Sequence, residues 1–169
     1  MPKKKDKDRK ALLDMLKNLI ITLVMVWLVF ALFIGVKMAP SEDMEPRISA
    51  GDILVFYRLD KDPSLRDAMI LSKNDTVYVG RVVATPGDTV EITKEENLLV
   101  NGNTVMETHI YGKTPRYEGY TEYPLKLGSD EYFILADKRE GGEDSRYYGP
   151  VKRSELKGTI IGMFRRNDI

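Results

Sequence analysis

The sequence of 169 residues contains no cysteine and a single histidine, His109. Without cysteine there is no disulfide, no thiol nucleophile and no thiolate metal site. One histidine alone does not make a transition-metal centre, so neither a metal nor a cofactor is expected. Net charge is absent too, because 26 basic side chains balance 26 acidic ones. The balance hides an asymmetry. Residues 1–37 carry eight Lys/Arg against three Asp, whereas the remainder carries 18 basic and 23 acidic side chains. An acidic main domain is a poor match for phosphate backbones, which excludes a nucleic-acid binder. No long helical period follows residue 37, and no internal repeat is visible.

What is present begins with one long apolar run. Residues 18–36, NLIITLVMVWLVFALFIGV, are apolar apart from Asn18 and Thr22. At about 1.5 Å per residue the run spans roughly 28 Å, close to the hydrocarbon thickness of a bilayer. Lys17 and Lys37 bracket it and can snorkel to the interfaces. It is too long for a cleaved signal peptide, and Lys37 stands where a cleavage site needs a small residue. The expected organisation is a basic cytoplasmic tail over 1–17, a transmembrane anchor over 18–37 in contact with membrane lipid, and an extracytoplasmic domain over 38–169. The basic tail sets that orientation.

The outer part reads as short strands. ILVFYR (53–58), TVYVGRVV (76–83), DTVEIT (88–93), LLV (98–100), NTVM (103–106), EYFILA (131–136) and GTIIGMF (158–164) are rich in β-branched and aromatic residues. Asn101-Gly102 is a strong two-residue hairpin signal. Seven such strands predict a mainly β domain, a barrel or sandwich. Residues 107–130 interrupt the spacing. This segment holds Tyr111, Tyr117, Tyr120 and Tyr123, and tyrosine is enriched at interfaces, so the four are candidates for a partner-binding loop.

Three further segments carry chemistry-bearing residues in register. The first is Pro40-Ser41-Glu42-Asp43-Met44-Glu45-Pro46. The second is Gly80-Arg81-Val82-Val83-Ala84-Thr85-Pro86-Gly87-Asp88. The third is Ala136-Asp137-Lys138-Arg139, followed by Asp144-Ser145-Arg146-Tyr147-Tyr148-Gly149-Pro150-Val151. Together with the anchor they resemble the bacterial type I signal peptidases, whose segments read P-S-x-S-M-x-P, K-R-V-V-x-x-P-G-D, and G-D-N-R with D-S-R-x-x-G-x-V. The resemblance implies a signal-peptidase-like β domain behind one membrane helix.

The family cuts with a serine nucleophile and a neutral lysine base, which this sequence does not carry at the matching positions. Asp43 stands for the serine, Gly80 for the lysine and Gly142 for the serine that orients the lysine. Ser41 matches the oxyanion-hole serine. The resemblance therefore implies a homologue that is not an enzyme, because the nucleophile and its base act as one unit. Arg81 is too strong a base to replace the lysine. Lys138, at the family's asparagine position, is the remaining basic residue near the motifs. Gly80 is expected to leave room where a long side chain would lie.

The candidate binding cleft comprises Ser41, Asp43, Met44, Gly80, Asp144, Ser145 and Arg146. The Asp43/Gly80 pair resembles that of signal-peptidase-like proteins encoded with streptococcal pilus genes. That likeness implies a Gram-positive surface protein acting as a chaperone or assembly factor for sortase-linked pilus polymerisation, with a pilin subunit and a class C sortase as partners. Two alternatives are a regulator that holds signal peptides without cutting them and a peptidase that uses Asp43 by an unorthodox route.

Overall fold

The computed structural model describes residues 3–107, 110 and 112–165. The chain divides into two units, residues 1–34 and 35–169. The first is a helix, α1 (Lys3–Phe33). It is long and apolar enough to cross a membrane. Its apolar side chains, among them Trp27, Phe30 and Leu32, are exposed all round. Such a helix has no face to bury against a protein core, and an apolar medium satisfies it. The helix stops at Phe33, and Ile34–Met38, which takes in the last residues of the expected 18–37 segment, is the first strand.

The second unit is mainly β, as the sequence predicts. Its strands are β1 (Ile34–Met38), β2 (Ile53–Tyr57), β3 (Ala68–Lys73), β4 (Thr76–Ala84), β5 (Thr89–Ile92), β6 (Leu98–Val100), β7 (Asn103–Thr104), β8 (Leu125–Lys126), β9 (Glu131–Leu135), β10 (Val151–Lys152) and β11 (Leu156–Phe164). A short helix, α2 (Ser145–Tyr148), precedes β10. One seven-stranded sheet runs β1-β2-β11-β3-β4-β9-β10, and a four-stranded sheet runs β7-β6-β5-β8.

All seven predicted strands form, with edges shifted by a few residues. β3 was not foreseen. Its Met69, Ile70 and Leu71 are consecutive buried residues, because a central strand between β11 and β4 packs both faces. β3 and β4 join through Asn74-Asp75, both at positive φ, 50° and 63°. That geometry matches the twist of a tight hairpin. β11 carries a bulge between Leu156 and Gly158. At Gly158, φ is +152° and an added Cβ would lie 2.1 Å from the Tyr57 carbonyl oxygen, so only glycine fits.

The core is held in three apolar clusters. One packs Met44 and Ile48 with Leu54, Phe56, Ile70 and Val79. Another packs Met69, Leu71, Val82, Tyr132, Ile134 and Leu156. The third lies between the sheets around Val90, Ile92, Phe133 and Leu135.

At the end of β9 this packing meets a buried charge. Arg146 is fully buried and is the largest such side chain among the described residues. Its Nε and Nη2 donate to the Asp144 carboxylate at 2.9 and 2.7 Å, and Nη1 donates to the Pro115 carbonyl at 3.2 Å. The Tyr117 ring covers the guanidinium at 4.5 Å. Burial is the largest single influence and works against the arginine charge, but the hydrogen bond to Asp144 and the charge attraction of Asp144 together with the nearby phenols outweigh it, and the pKa is raised above its ordinary value.

Asp144 also caps α2 by accepting from the Arg146 N–H, and it accepts from the Ala136 N–H at 2.9 Å. Ser145 Oγ accepts from the Ile134 N–H at 3.0 Å. One acid thus ties α2, β9 and the tyrosine loop together. Removing it leaves a buried cation without its partner. Asp144→Ala should destabilise the β unit by about 3–5 kcal/mol. The paired change Asp144→Leu with Arg146→Met should cost clearly less, in thermal unfolding of the full-length protein in detergent.

Candidate functional site

The first motif is the loop of the hairpin between β1 and β2. Two backbone hydrogen bonds close its base, from Ala39 N–H to Asp52 O at 2.8 Å and from Gly51 N–H to Ala39 O at 3.0 Å. Within it the Glu45 N–H donates to Glu42 O, and the Arg47 and Ile48 N–H groups donate to Met44 O. Met44 is only 1% exposed. It plugs the loop onto the core beside Ile48 and Leu54, a burial worth about 1.5–3 kcal/mol. Met44 is therefore a foot of the loop and not a wall of an open cleft.

Ser41 and Asp43 remain half-buried at the top of this loop. Ser41 Oγ donates to Asp43 Oδ2 at 2.6 Å, a short charge-assisted bond. The two residues foreseen as separate features, an oxyanion donor and a replaced nucleophile, form one hydroxyl–carboxylate pair.

The other motifs lock onto this loop. The Lys138 N–H donates to the Asp43 carbonyl at 2.8 Å. Lys138 Nζ donates to Glu42 and Glu45 at 3.3 and 3.4 Å. Hydrogen bonds to Glu42 first, and then to Glu45, push the amine above its ordinary pKa. Lys138 is thus a charged clamp on the outside of the loop and not a neutral base within it. Glu42 and Glu45 converge, but on an ammonium and not on a proton shared with Asp43.

Arg81 of the second motif makes two parallel hydrogen bonds to Asp137 of the third, Nε–Oδ1 being 2.7 Å. It also donates to the Arg66 carbonyl at 2.9 Å. Buried Arg139 reaches back to Ala136 O at 2.8 Å, Thr114 Oγ1 at 2.8 Å and Glu107 at 2.6 Å, and so staples the start of the tyrosine segment to the third motif.

Gly80 is not an open space. A Cβ there would lie 2.6 Å from Ile134 Cγ2 and 3.2 Å from the Leu135 carbonyl oxygen. The expected room is filled by Ile134 from the neighbouring strand β9. At Gly142 a Cβ would lie 2.6 Å from both the Ala136 Cβ and the Lys138 carbonyl oxygen. Both glycines are close-packed positions.

Of the predicted cleft residues, Asp144, Ser145 and Arg146 are buried at 1%, 0% and 0% exposure. They form the support described above and offer no surface to a ligand. Burial first of all raises the phenols of Tyr117 and Tyr148, and the Asp43 charge is among the smaller influences in the same direction.

The tyrosine segment is divided in its roles. Tyr117 donates to the Arg139 and Gly142 carbonyls at 3.3 and 3.2 Å and covers Arg146. Tyr123 packs edge-on against core Phe133 at 6.3 Å. These two are structural. Tyr120 is 56% exposed and stacks on exposed Tyr147 at 4.6 Å, so it alone of the described candidates presents a surface. Tyr111 and His109 lie outside the described residues.

Sequence reasoning missed Arg139, Glu107 and Thr114 as the loop's fastening. An arginine directly after a strand, with a carboxylate in the long loop, was the available signal. Because Gly80 is close-packed, Gly80→Lys should overpack β4 against β9 at a cost of about 1–3 kcal/mol. A double-mutant cycle checks the contact. Ile134→Ala should cost less in the Gly80→Lys background than alone, measured by thermal unfolding.

Comparison with known proteins places this geometry in a family. Residues 12–164 match the family model described as signal peptidase, peptidase S26. A probable signal peptidase I-2 of Synechocystis sp. is 31% identical over 74% of this chain and 60% of its own length. A signal peptidase I of Bacillus amyloliquefaciens is 28% identical over 96% of this chain and 92% of its own. Signal peptidase I S of Bacillus subtilis is 28% identical over 92% of this chain and 90% of its own. A crystal structure of a signal peptidase I from Enterococcus faecalis aligns at 27% identity with a TM-score of 0.47, over 57% of this chain and 95% of that one.

These relatives overturn the expectation that the chain is not an enzyme. Proteins at 28–31% identity over most of its length are named as signal peptidases, which points to a peptidase. The departures at positions 43, 80 and 142 are real, but they do not remove the chain from that company. With its three motifs joined around one hairpin loop and its matched length, the chain belongs to the signal peptidase family, peptidase S26.

Proposed function

We propose that this protein is a membrane-anchored member of the signal peptidase family that acts on exported precursor polypeptides, with Ser41 and Asp43 as its reactive pair. In this reading α1 is the anchor, the basic tail is cytoplasmic and the β unit lies outside. The precursor is a pilin subunit, and a class C sortase takes up the processed subunit for polymerisation. The Asp43/Gly80 pair supports the pilus assignment, through its likeness to proteins encoded with streptococcal pilus genes.

The observation that carries the reading is the 2.6 Å hydrogen bond from Ser41 Oγ to Asp43 Oδ2. A hydroxyl becomes a nucleophile when an acceptor is in place for its proton. Attack of Ser41 Oγ on the scissile carbonyl would pass that proton to Asp43 and form a tetrahedral intermediate. Asp43 then gives the proton to the amine as the C–N bond breaks, which leaves an acyl-enzyme; water, losing a proton to Asp43, attacks the ester, and the proton returns to Ser41 Oγ as the acyl group leaves as its carboxylic acid. Lys138 cannot serve as base, because two glutamates hold it charged. A carboxylate is a weaker general base than a neutral amine, so turnover is slow compared with a Ser/Lys pair.

The test uses full-length protein in detergent micelles with a pilin precursor that retains its signal segment. Mature pilin should accumulate. Ser41→Ala should lower the rate at least roughly 100-fold, and Asp43→Asn should lower it by about 10–100-fold. Deleting the protein should abolish pilus polymers while other secretion continues. Absence of mature product, or a rate unchanged in Ser41→Ala, would overturn the assignment.

A further inference from the structure

One part of the tyrosine segment serves neither the buried ion pair nor the Ser41–Asp43 loop. Tyr120 and Tyr147 are 56% and 43% exposed, and their rings meet at 4.6 Å with 40° between the planes. Together with Glu122 they line a hollow of about 460 Å³, which the half-buried Leu125, Tyr148 and Pro150 complete. Single exposed aromatic side chains are ordinary, but two stacked beside one hollow are not.

The platform stands on fixed supports. Thr121 Oγ1 donates to the Ser145 carbonyl at 2.8 Å and so ties residues 119–122 to α2. Tyr148 stacks on Tyr78 at 4.8 Å. Burial first, and then the charge of Glu143, raise the Tyr78 phenol, so a second carboxylate acts on this aromatic group.

The free charge beside the exposed rings is negative. Glu122 is exposed and makes no hydrogen bond or ion pair with the described residues. The neighbouring cations are engaged. Lys73 lies over the Tyr148 ring at 5.9 Å, and its Nζ donates to the Pro150 carbonyl at 2.6 Å and to Glu155 at 3.3 Å. Arg116 lies over the Tyr123 ring at 5.2 Å and, with Lys94, lines a different hollow.

The same three kinds of group meet repeatedly within the β unit. Arg146 lies over Tyr117 and pairs with Asp144 at 2.7 Å. Arg153 lies over Tyr132 at 5.9 Å and pairs with Asp62 at 3.1 Å. Lys73, Tyr148 and Glu155 make a third such set. At Tyr120, Tyr147 and Glu122 the chain supplies the rings and the acid, and among the described residues no lysine or arginine lies over either ring.

We infer that Tyr120, Tyr147 and Glu122 dock an arginine side chain of a partner polypeptide, its guanidinium flat on an exposed ring and its N–H fork on the Glu122 carboxylate. A guanidinium stacks on aromatic faces and meets a carboxylate through two parallel donors, which an ammonium does not. Tyrosine and arginine are also the side chains that anchor protein interfaces. A phosphate-bearing ligand would meet the wrong sign of charge here. The inference stands apart from the peptidase assignment, since it uses none of the residues of the Ser41–Asp43 loop.

Full-length protein with ring-labelled tyrosine in detergent micelles, titrated by NMR with acetyl-Gly-Gly-Arg-Gly-Gly-amide, tests it. The comparisons are the same peptide with citrulline, which keeps the shape and loses the charge, free arginine and tetramethylammonium. The Tyr120 and Tyr147 ring signals should shift saturably, with the arginine peptide bound at least roughly fivefold more tightly than the citrulline peptide or tetramethylammonium. Glu122→Gln and Tyr120→Leu should each weaken it by about two- to fivefold. Both positions are exposed, so the unfolding temperature should not move. Equal binding of the citrulline peptide or of tetramethylammonium, tighter binding of free arginine, undiminished binding in either variant, or no saturable shift would each overturn the inference. So would shifts of these two rings with protein concentration alone, which would put a second copy of the chain there.

Discussion

Most of the β unit depends on how one buried cation is satisfied. Arg146 sits at 0% exposure, and desolvating a guanidinium costs several kcal/mol unless its donors are met. Asp144 meets two of them, Pro115 a third, and the Tyr117 ring covers the flat face. The same carboxylate receives the Ala136 N–H, where β9 ends and the third motif begins. Lys138, two residues on, donates its backbone N–H to Asp43. A short chain of hydrogen bonds thus runs from the buried ion pair to the loop that bears Ser41. The loop is positioned by backbone contacts, so its side chains at positions 41 and 43 are left to make a polar pair.

The three motifs cooperate for physical reasons. Arg81 and Asp137 join the second to the third, and Lys138 joins the third to the first. Packing repeats the theme at Gly80, where Ile134 from β9 occupies the position a side chain would need. At Gly142 the walls are the Ala136 Cβ and the Lys138 carbonyl. These two glycines read differently in sequence and in space. In sequence each is a missing functional group, and in space each is a contact between elements. Changing either one tests packing as much as chemistry.

Much of the fold was legible from alternation and turn residues. The seven foreseen strands follow β-branched runs, and Asn101-Gly102 turns with φ of 52° and 78°, as the residue pair demands. β3 escaped because its consecutive apolar residues carry no alternation. β1 escaped because its residues continue the apolar run of the membrane helix. Only Gly35, where an added Cβ would lie 2.1 Å from the Phe56 ring, marks the close approach of two strands. At the site, the motif residues were legible individually but their partners were not. Nothing local shows that Asp144 and Arg146 turn inward, that Lys138 turns out to Glu42 and Glu45, or that Ser41 bonds to Asp43. Those outcomes depend on which elements pack together.

If an exported precursor is engaged at the Ser41–Asp43 loop, contact with it should be detectable at that loop. Glu42 lies between those two residues and is exposed, so a photoreactive amino acid placed there reports what meets the loop in living cells. Crosslinks are expected to a precursor that still carries its signal segment, at positions close to the end of that segment. Crosslinks confined to mature proteins or to lipid, or none at all while the same probe at position 120 captures the precursor, would contradict it.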